Sequence, residues 1–420
     1  MTADGQKNIV IIGGGIIGCT SAYFLTRHPS YDPKKHKITL LEATKIAGGA
    51  SGKAGGLLAL WAYPSSLVPL SYRLHKQLSD EHNGEERWGY RAVHCGQVDC
   101  IGRNTAAKSV VHGKNGDMSG DNGEVAESVS LQKRSKEAMS KLRKAGVPED
   151  LDWVSSESLR RYEEMGDPST TAQVHPFQFT TSVADLAQEK GAEIKTEASV
   201  KQINFTADGE SVESVTYTQN GQDQTLPATD IILAAGPWTR SVYPSAPIGA
   251  MRAHSVTIKP SRPVSAFALF TQIKLPSTFT PNPSHSGQFV TPEIYARPRN
   301  EVYACGEGDH AVPLPPTSQE VEVDEQRCQE VVDFVSSISD ELRDGEVTAR
   351  QACYLPSVVG SNAPLVGPTG VNGLWMAAGH TCWGINNGPA TGKIVSEFVF
   401  DGEKGVKCAK VKGLDPREYL

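Results

Sequence analysis

The sequence predicts an α/β fold with two structural domains, on the basis of its length and of two local patterns. A chain of 420 residues is long enough to bury two cores. The β-branched run over residues 9–12 is typical of a buried parallel strand, and a helix is predicted over residues 20–27. A second strand is predicted over residues 37–41. Strand, helix and strand in this order are typical of a Rossmann-like unit.

The turn after the first strand carries the glycine pattern Gly13-X-Gly15-X-X-Gly18. Glycines here allow a tight turn, a close approach of the backbone to a pyrophosphate and close packing of the helix. The helix N-terminus that follows favours anions. Glu42 ends the second strand, and its carboxylate can bind a ribose hydroxyl. The same negative charge disfavours the 2′-phosphate of NADP. The pattern therefore predicts a dinucleotide site, against the alternative of a glycine-rich turn without a ligand.

A second glycine-rich segment over residues 48–56 favours FAD over NAD as the nucleotide. Five glycines stand among these nine residues, so the backbone is free to lie against a large flat ligand. A flexible surface loop is the alternative interpretation. An NAD enzyme does not require a second glycine segment, whereas a flavin has both a pyrophosphate and an isoalloxazine ring to be covered.

Two later segments agree with this prediction. Residues 229–238 are predicted to form a strand that ends in small residues, and residues 374–378 are predicted to form another. A helix is predicted from Pro389 to about Phe398, because proline is favoured in the first turn of a helix. The start of that helix is a second anion site, suited to the flavin pyrimidine oxygen.

Composition excludes several other classes of protein. The formal net charge of −7 offers no basic surface for nucleic acid, so no nucleic-acid partner is predicted. The eight cysteines form no CxxC pair, and no apolar targeting segment precedes the first strand, which together predict a cytoplasmic protein. No window is apolar enough for an integral membrane segment. Neither a metal-ligand cluster nor a nucleophile elbow is visible in the sequence.

Taken together, these motifs resemble those of the FAD-dependent amine and amino-acid oxidoreductases, which include D-amino-acid oxidase, glycine oxidase and monomeric sarcosine oxidase. The resemblance depends on Gly13-X-Gly15-X-X-Gly18 and on residues 49–56, 234–238 and 377–392, so that it extends over the whole chain. The last block is most similar to glycine oxidase. Residues 51–58 resemble those of fungal members of the superfamily.

The resemblance implies a Rossmann-like FAD-binding domain built from residues 1–70, 168–240 and 340–420. Residues 71–167 and 241–339 would form a substrate domain with a mixed, largely antiparallel sheet. The resemblance and the glycine segments together predict the following residues as the FAD site: Gly13, Gly15, Ile16, Ile17, Gly18, Glu42, Ala43, Ala50, Ser51, Gly52, Ala54, Gly55, Gly56, Leu57, Val200, Ala235, Gly236, Trp238, Gly379, His380, Trp383, Gly384 and Ile385.

Residues 295–299 resemble the glycine oxidase stretch whose tyrosine lies beside the substrate, which marks Tyr295. Arg297 and Arg299 are candidates to hold a substrate carboxylate, because a guanidinium matches that geometry. Alternation along a regular strand would point both arginines the same way as Tyr295. A solvated charged edge is the alternative.

Trp61 and Tyr63 follow the second glycine segment and are predicted to line the pocket above the flavin. Their alternative is ordinary core packing. His380 begins the predicted flavin loop, where it either hydrogen-bonds the backbone or the flavin, or acts as a base.

Three positions depart from the family pattern or leave it open. Cys353 stands where sarcosine oxidases attach the flavin covalently, and a buried free thiol is the alternative. Leu355 occupies the place of the arginine that binds the substrate carboxylate in glycine oxidase. Asn386 falls where sarcosine oxidases carry an oxygen-activating lysine. These departures argue against a small amino acid held in the usual way, and against rapid reaction with oxygen.

The sequence therefore predicts an FAD-dependent oxidoreductase that oxidises a C–N bond of an amine or of an amino acid, modified or not. Hydride would pass to the flavin and the imine would hydrolyse in water. The predicted partners are a small-molecule amine and O2 or another electron acceptor, so oxidase and dehydrogenase both remain open. The alternative is a flavin-binding protein with weak or lost catalysis that acts through protein partners, for example in trafficking.

Overall fold

A computed structural model describes residues 5–104 and 146–420 of the chain. Its strands, in chain order, are β1 (Lys7–Ile12), β2 (His36–Leu41), β3 (Leu57–Ala59), β4 (Arg91–Ala92), β5 (His94–Ile101), β6 (Leu159–Gly166), β7 (Thr171–Gln173), β8 (Glu193–Lys195), β9 (Ala198–Phe205), β10 (Val212–Gln219), β11 (Gln222–Pro227), β12 (Asp230–Leu233), β13 (Ile248–Lys259), β14 (Phe267–Lys274), β15 (Phe289–Val290), β16 (Glu293–Arg297), β17 (Glu301–Asp309), β18 (Glu346–Val358), β19 (Leu365–Pro368) and β20 (Leu374–Ala378).

The α-helices of the same residues are α1 (Ile16–Leu25), α2 (Ala50–Lys53), α3 (Val68–His82), α4 (Gly84–Trp88), α5 (Pro176–Gln188), α6 (Thr239–Val242), α7 (Glu325–Ser336), α8 (Asp340–Arg343) and α9 (Gly384–Asp401). Short 3₁₀ turns occupy Gly236–Trp238, Pro283–His285, Ser318–Glu320, Thr381–Trp383, Glu403–Gly405, Lys412–Leu414 and Pro416–Glu418.

A six-stranded sheet in the order β19-β20-β12-β1-β2-β8 forms the centre of the nucleotide-binding unit. All its pairings are parallel except that of β19 with β20, as the β-branched run of β1 predicts. Ile9 and Ile11 pack on one face against α1, α5 and α9, whereas Val10 and Ile12 pack on the other face in a cluster with the sheet β11-β10-β9. Burial on both faces explains why the strand carries no polar alternation.

Two helices start earlier than the sequence predicts. Helix α1 begins at Ile16 rather than at residue 20, directly after the glycine turn. Helix α9 begins at Gly384, so Pro389 lies inside it and not in its first turn. A proline in that position leaves the carbonyl of Ile385 without its helical partner. The imidazole Nε2 of His75 lies 2.9 Å from this oxygen and satisfies it, a compensation by α3 that local sequence does not reveal.

The second large sheet has eight strands, in the order β18-β13-β17-β16-β14-β5-β6 with β15 paired to β14. Only β14 and β5 run parallel, so the predicted mixed, largely antiparallel sheet is confirmed. Its outer face packs on α7 through a separate hydrophobic cluster. Strands β16 and β17 pair Tyr295 with Tyr303 and Arg297 with Glu301, and strands β14 and β16 pair Phe270 with Glu293.

The division into two domains stays a prediction, and residues 105–145 of the first predicted insertion lie outside the described residues. Within the part of the chain that the structure describes, no helix combines the length and the apolarity that a membrane crossing needs.

Candidate active site

A cavity of about 380 Å³ opens between the parallel sheet and the large mixed sheet. Its volume lies in the range of small-molecule sites, roughly 300–1,000 Å³. One side is formed by the turn after β1 and by residues 48–57, which we call the glycine-rich face. The edge strand β18, the loop before α9 and strands β14, β16 and β17 form further parts of the lining, together with residues 198–200, 234–238, 241–242, 251, 253 and 316–318.

The first turn of α1 presents free backbone donors to this cavity. Helix α1 has no side-chain cap, and its first intrahelical bond runs from the amide of Cys19 to the carbonyl of Gly15. The amides of Gly15 and Ile17 have no acceptor among the described residues, and both residues line the cavity. Unsatisfied amides at a helix N-terminus suit a pyrophosphate, so this end of the cavity fits the nucleotide of FAD.

Glu42 lies at the same end and is held by the glycine turn itself. Its Oε2 accepts the Gly14 amide at 2.7 Å, and its Oε1 accepts the amide and the hydroxyl of Thr44. The carboxylate is thereby fixed at the cavity lining. This position fits the predicted contact of Glu42 with a ribose hydroxyl, and the contact itself stays a prediction.

A second helix N-terminus opens onto the cavity at α9. Gly384 and Ile385 line it, and the helix has no side-chain cap. His380 lines the cavity just before this turn and is 3% exposed. Its Nε2 lies 2.9 Å from the hydroxyl oxygen of Thr391, and burial lowers its pKa to about 3. A neutral imidazole bonded into α9 fits a structural role better than that of a base.

Two predicted FAD residues, Gly18 and Gly52, lie behind the lining and not in it. A Cβ at Gly18 would overlap the carbonyl oxygen of Gly13, and one at Gly52 would overlap that of Ala47. Both glycines are therefore required for close packing of the backbone behind the cavity lining, and not for direct contact with FAD.

Six aromatic rings contact one another in sequence along the other side of the site. We call this set the aromatic row, and its order is Tyr303, Tyr295, Phe270, Trp61, Trp383 and Tyr63. Successive ring centroids lie 5.4–6.1 Å apart. Tyr295 and Tyr303 are buried, whereas Trp61 and Tyr63 are 38% and 43% exposed. The row therefore runs from the interior of the site to the protein surface.

Trp61 itself does not line the cavity, although it contacts two rings that do, Phe270 and Trp383. Tyr63 is also absent from the described lining, so the structure does not bring Trp61 and Tyr63 into the pocket wall as predicted, and both stand at the exposed end of the aromatic row. Tyr295 does line the cavity, as the family resemblance predicts.

A carboxyl group stands beside the buried end of the aromatic row. The Tyr295 hydroxyl donates to Oε2 of Glu293, and the Cys305 thiol lies 3.9 Å from the same oxygen. Burial raises the pKa of Glu293 above its ordinary value of 4.5, and no cation contributes to the shift. Burial also raises the pKa of Tyr295 well above 10, so its phenol is neutral.

The structure does not place Arg297 where a substrate carboxylate could reach it. Its side chain is buried outside the cavity lining, where it donates to the carbonyls of Ala54 and Gly55 and pairs with Glu301 at 2.8 Å. The guanidinium lies over the Tyr303 ring, 4.8 Å from its centroid. These contacts make Arg297 a positioning residue that fixes the glycine-rich face against β16 and β17.

Arg299 is likewise outside the cavity lining. Strand β16 ends at Arg297, and Arg299 then adopts a φ of +64° in the following turn. The regular alternation that would point its side chain toward Tyr295 therefore stops before it. Its guanidinium donates to the carbonyl of Glu86 at the surface.

Cys353 and Leu355 both face the cavity from β18. Burial raises the pKa of the Cys353 thiol to about 11. Lys53 lines the cavity nearby and donates to the carbonyl of Ala352 at 2.8 Å. Asn386 accepts the Ala59 amide with its Oδ1, so it is committed to β3.

The lining therefore contains every predicted FAD residue except Gly18 and Gly52, together with Tyr295 and Cys353. It does not contain Arg297 or Trp61. Sequence reasoning missed the following lining residues: Lys53, Phe270, Glu293, Tyr303 and Cys305. Side chains two residues apart on a strand point to the same face, which is why Arg297 was a candidate beside Tyr295. The same rule applied toward the N-terminus of the strand would have identified Glu293.

The described residues bring no three His, Cys, Asp or Glu side chains together in a way that could hold a metal ion.

Comparisons with known proteins agree with this geometry. A family model described as "FAD dependent oxidoreductase" matches residues 8–398. Two fungal proteins carry the name "Putative oxidoreductase": TDA3 of Saccharomyces cerevisiae is 35% identical over 100% of this chain and 96% of its own length, and C1F5.03c of Schizosaccharomyces pombe is 34% identical over 99% of each. The structure of glycine oxidase from Geobacillus kaustophilus superposes with a TM-score of 0.68 at 17% identity, over 99% of this chain and 100% of that one.

Proposed function

The chain belongs to the family of FAD dependent oxidoreductases, and on that premise we propose that it oxidises a C–N bond of an amine, an amino acid or a modified amino acid. It is an enzyme whose cofactor is FAD, and the proposal concerns the reaction. The superposed glycine oxidase acts on an amino acid by its name, which supports a C–N bond as the target.

The observation that carries the proposal is the continuity of one cavity. It joins the free amides of Gly15 and Ile17 to Glu293, Tyr295 and Phe270 without leaving the protein. A nucleotide held at the first group of residues would leave its ring system beside the second, where a small molecule has room. FAD, when bound, supplies the acceptor for the hydride that leaves the carbon of the C–N bond.

The residues of the chain bind and orient, and they exclude water. The four rings of the aromatic row that line the cavity, Tyr303, Tyr295, Phe270 and Trp383, would give the substrate apolar surface, which strengthens electrostatic interactions inside. The first turn of α9 directs its amides toward the cavity, where they can stabilise negative charge that develops on a ligand. The imine product would hydrolyse with water alone, so the proposed reaction requires no nucleophile from the protein.

The test is an anaerobic titration of the purified holoprotein, in which the flavin absorbance is followed while amines, N-methyl amines, amino acids and glycated amines are added. Loss of the oxidised flavin band with one class, and appearance of the matching carbonyl compound, is the expected result. The speed at which air restores the band then separates O2 from another electron acceptor. Bound flavin that none of these compounds reduces would contradict the proposal and favour a protein that acts through partners.

A further inference from the structure

The described cavity lining contains two carboxyl groups, those of Glu42 and Glu293, and both accept hydrogen bonds from neutral donors. Both oxygens of Glu42 are occupied, because they accept the Gly14 amide and the amide and hydroxyl of Thr44. Glu293 uses one oxygen, for the Tyr295 hydroxyl and the Cys305 thiol. Of these two carboxyl groups, Glu293 is therefore the one with an oxygen left for a ligand.

The geometry of Glu293 leaves one oxygen available to a ligand. Oε2 accepts the Tyr295 hydroxyl and lies near the Cys305 thiol, whereas Oε1 has no hydrogen-bond partner among the described residues. A buried carboxylate without a cation is unfavourable, and burial accordingly raises the pKa of Glu293. A cationic ligand that enters the cavity would relieve exactly this cost.

Aromatic residues lie next to the same carboxyl group, on its own strand and on the neighbouring strands. Phe270 pairs with Glu293 across β14 and β16, and Tyr295 and Tyr303 stack with their planes 6° apart on the neighbouring strands. Aromatic faces attract ammonium groups through their quadrupoles, most strongly where water is excluded. A carboxyl group beside several rings is the combination that recognises an ammonium group.

The described cavity lining offers few groups that could hold a substrate carboxylate. Leu355 lines it with an apolar side chain, and Arg297 is committed to Ala54, Gly55 and Glu301 outside the lining. Lys53 is the one Lys or Arg of the lining, and it lies beside Cys353 on the β18 side with its ammonium bonded to Ala352. An α-amino acid would therefore bring a carboxylate to a pocket that already contains an acid.

We infer that Glu293 binds the substrate amine as its ammonium ion, and that the site takes cationic amines without a neighbouring carboxylate in preference to α-amino acids. Glu293 accepts one N–H proton on Oε1, which leaves the neutral amine whose C–H hydride passes to the flavin. This inference rests on the proposed function, because it specifies the substrate class of that reaction. It assigns Phe270 and Tyr295 to the cation–π contacts and Leu355 to apolar contact.

The test measures binding, so that it does not depend on turnover. Benzyltrimethylammonium, which has no N–H and resembles a substrate ammonium, and benzoate, which has a similar ring and the opposite charge, are titrated into the FAD-loaded protein. We expect benzyltrimethylammonium to bind at least about tenfold more tightly than benzoate. Tighter binding of benzoate than of benzyltrimethylammonium would overturn the inference. If the Lys53→Met variant then no longer bound benzoate, Lys53 would be identified as the partner of the benzoate carboxylate.

The variant Glu293→Gln keeps the shape of the side chain and removes its charge. It should weaken benzyltrimethylammonium about tenfold or more and leave benzoate unchanged or tighter. Glu307→Gln is the matched control, since Glu307 lies on β17 outside the cavity lining and should leave both affinities unchanged. Unchanged binding of the cation to Glu293→Gln would overturn the inference. If Glu293→Gln does not retain FAD, the relative affinities of benzyltrimethylammonium and benzoate for the unsubstituted protein still test the inference.

This experiment and the flavin titration fail in different ways. Reduction of the flavin by amino acids alone, with benzoate the tighter ligand, would uphold the proposed function and overturn the inference. Binding of the cation through Glu293 without reduction by any amine would contradict the proposed function, while the ammonium site itself would stand.

Discussion

The glycine-rich face is built from two short continuous segments, whereas the aromatic row takes its six rings from strands and loops spread between residues 61 and 383. The first presents backbone amides and tolerates no side chain where Gly18 and Gly55 pack. The second presents side chains whose positions depend on the register of β14, β16 and β17. The glycine-rich face is therefore encoded locally, whereas the positions of Phe270, Tyr295 and Tyr303 are set by long-range strand pairing.

The two regions meet at Gly55. A Cβ there would overlap the ring of Tyr295, and Arg297 of the same strand bonds the carbonyls of Ala54 and Gly55. Substitutions on either side of this junction should therefore separate loss of flavin from loss of substrate.

The largest effect is expected from Gly18→Val in the packing beneath the glycine-rich face. Its side chain would overlap the Gly13 carbonyl oxygen, so α1 would have to move and the turn that holds the pyrophosphate with it. We expect protein without bound flavin and a loss of more than about 3 kcal/mol in the free energy of unfolding. Flavin absorbance of the purified protein and denaturant unfolding measure both.

Gly413→Val is the matched control, because no heavy atom lies within 4 Å of a Cβ at that position. Normal flavin content in Gly18→Val would show that the packing of α1 on the turn does not support the cofactor site.

The next effect is expected from Arg297→Met at the junction. The variant leaves two backbone carbonyls and Glu301 without their donor in a partly buried place, which should cost about 3 kcal/mol of stability and weaken FAD retention. Arg299→Met removes a guanidinium two residues away that contacts only the Glu86 carbonyl at the surface, and should cost less than about 1 kcal/mol. If Arg297→Met lost affinity for acidic ligands alone and kept its stability, the result would instead support the predicted contact of Arg297 with a substrate carboxylate.

A smaller effect is expected from Phe270→Leu in the aromatic row. The leucine keeps apolar contact but removes a ring that touches both Trp61 and Tyr295, so the affinity for benzyltrimethylammonium should fall about threefold to tenfold. Flavin content should not change. Phe289→Leu, at a side chain that is 60% exposed on β15, should change neither quantity. Equal affinities in the two variants would exclude the row from recognition of the cation.

The last prediction concerns the pH dependence of stability, whose effect appears only in acid. His380 has a pKa of about 3 in the folded protein against an ordinary 6.5, so only the unfolded chain binds this proton between those values. Stability should therefore fall as the pH drops from about 6.5 toward 3. His380→Asn should make the decline in melting temperature shallower, and His75, whose pKa burial lowers to about 4, should account for part of what remains. An unchanged slope would show that His380 titrates normally.

The difference between the two regions also decides how much the sequence could predict. The sequence predicts the glycine-rich face because its pattern lies in adjacent residues, namely strand β1, the turn at Gly13–Gly18 and residues 48–57. Glu293 and Phe270 were missed because no local pattern states that β14 and β16 pair at these positions. The misassigned start of α9 has the same origin, since His75 from α3 satisfies the carbonyl that Pro389 leaves free. The orientation of Arg299 could not be predicted, because the strand that would set it ends at Arg297.

The most direct test of this account compares two reductants that differ in one carboxylate. N-Methylbenzylamine and N-methylphenylglycine are mixed without oxygen with the holoprotein, and the rate of flavin reduction is measured for each. The account predicts that N-methylbenzylamine reduces the flavin at least about tenfold faster, because Glu293 receives its ammonium group and repels the carboxylate of the other. Faster reduction by N-methylphenylglycine would contradict it.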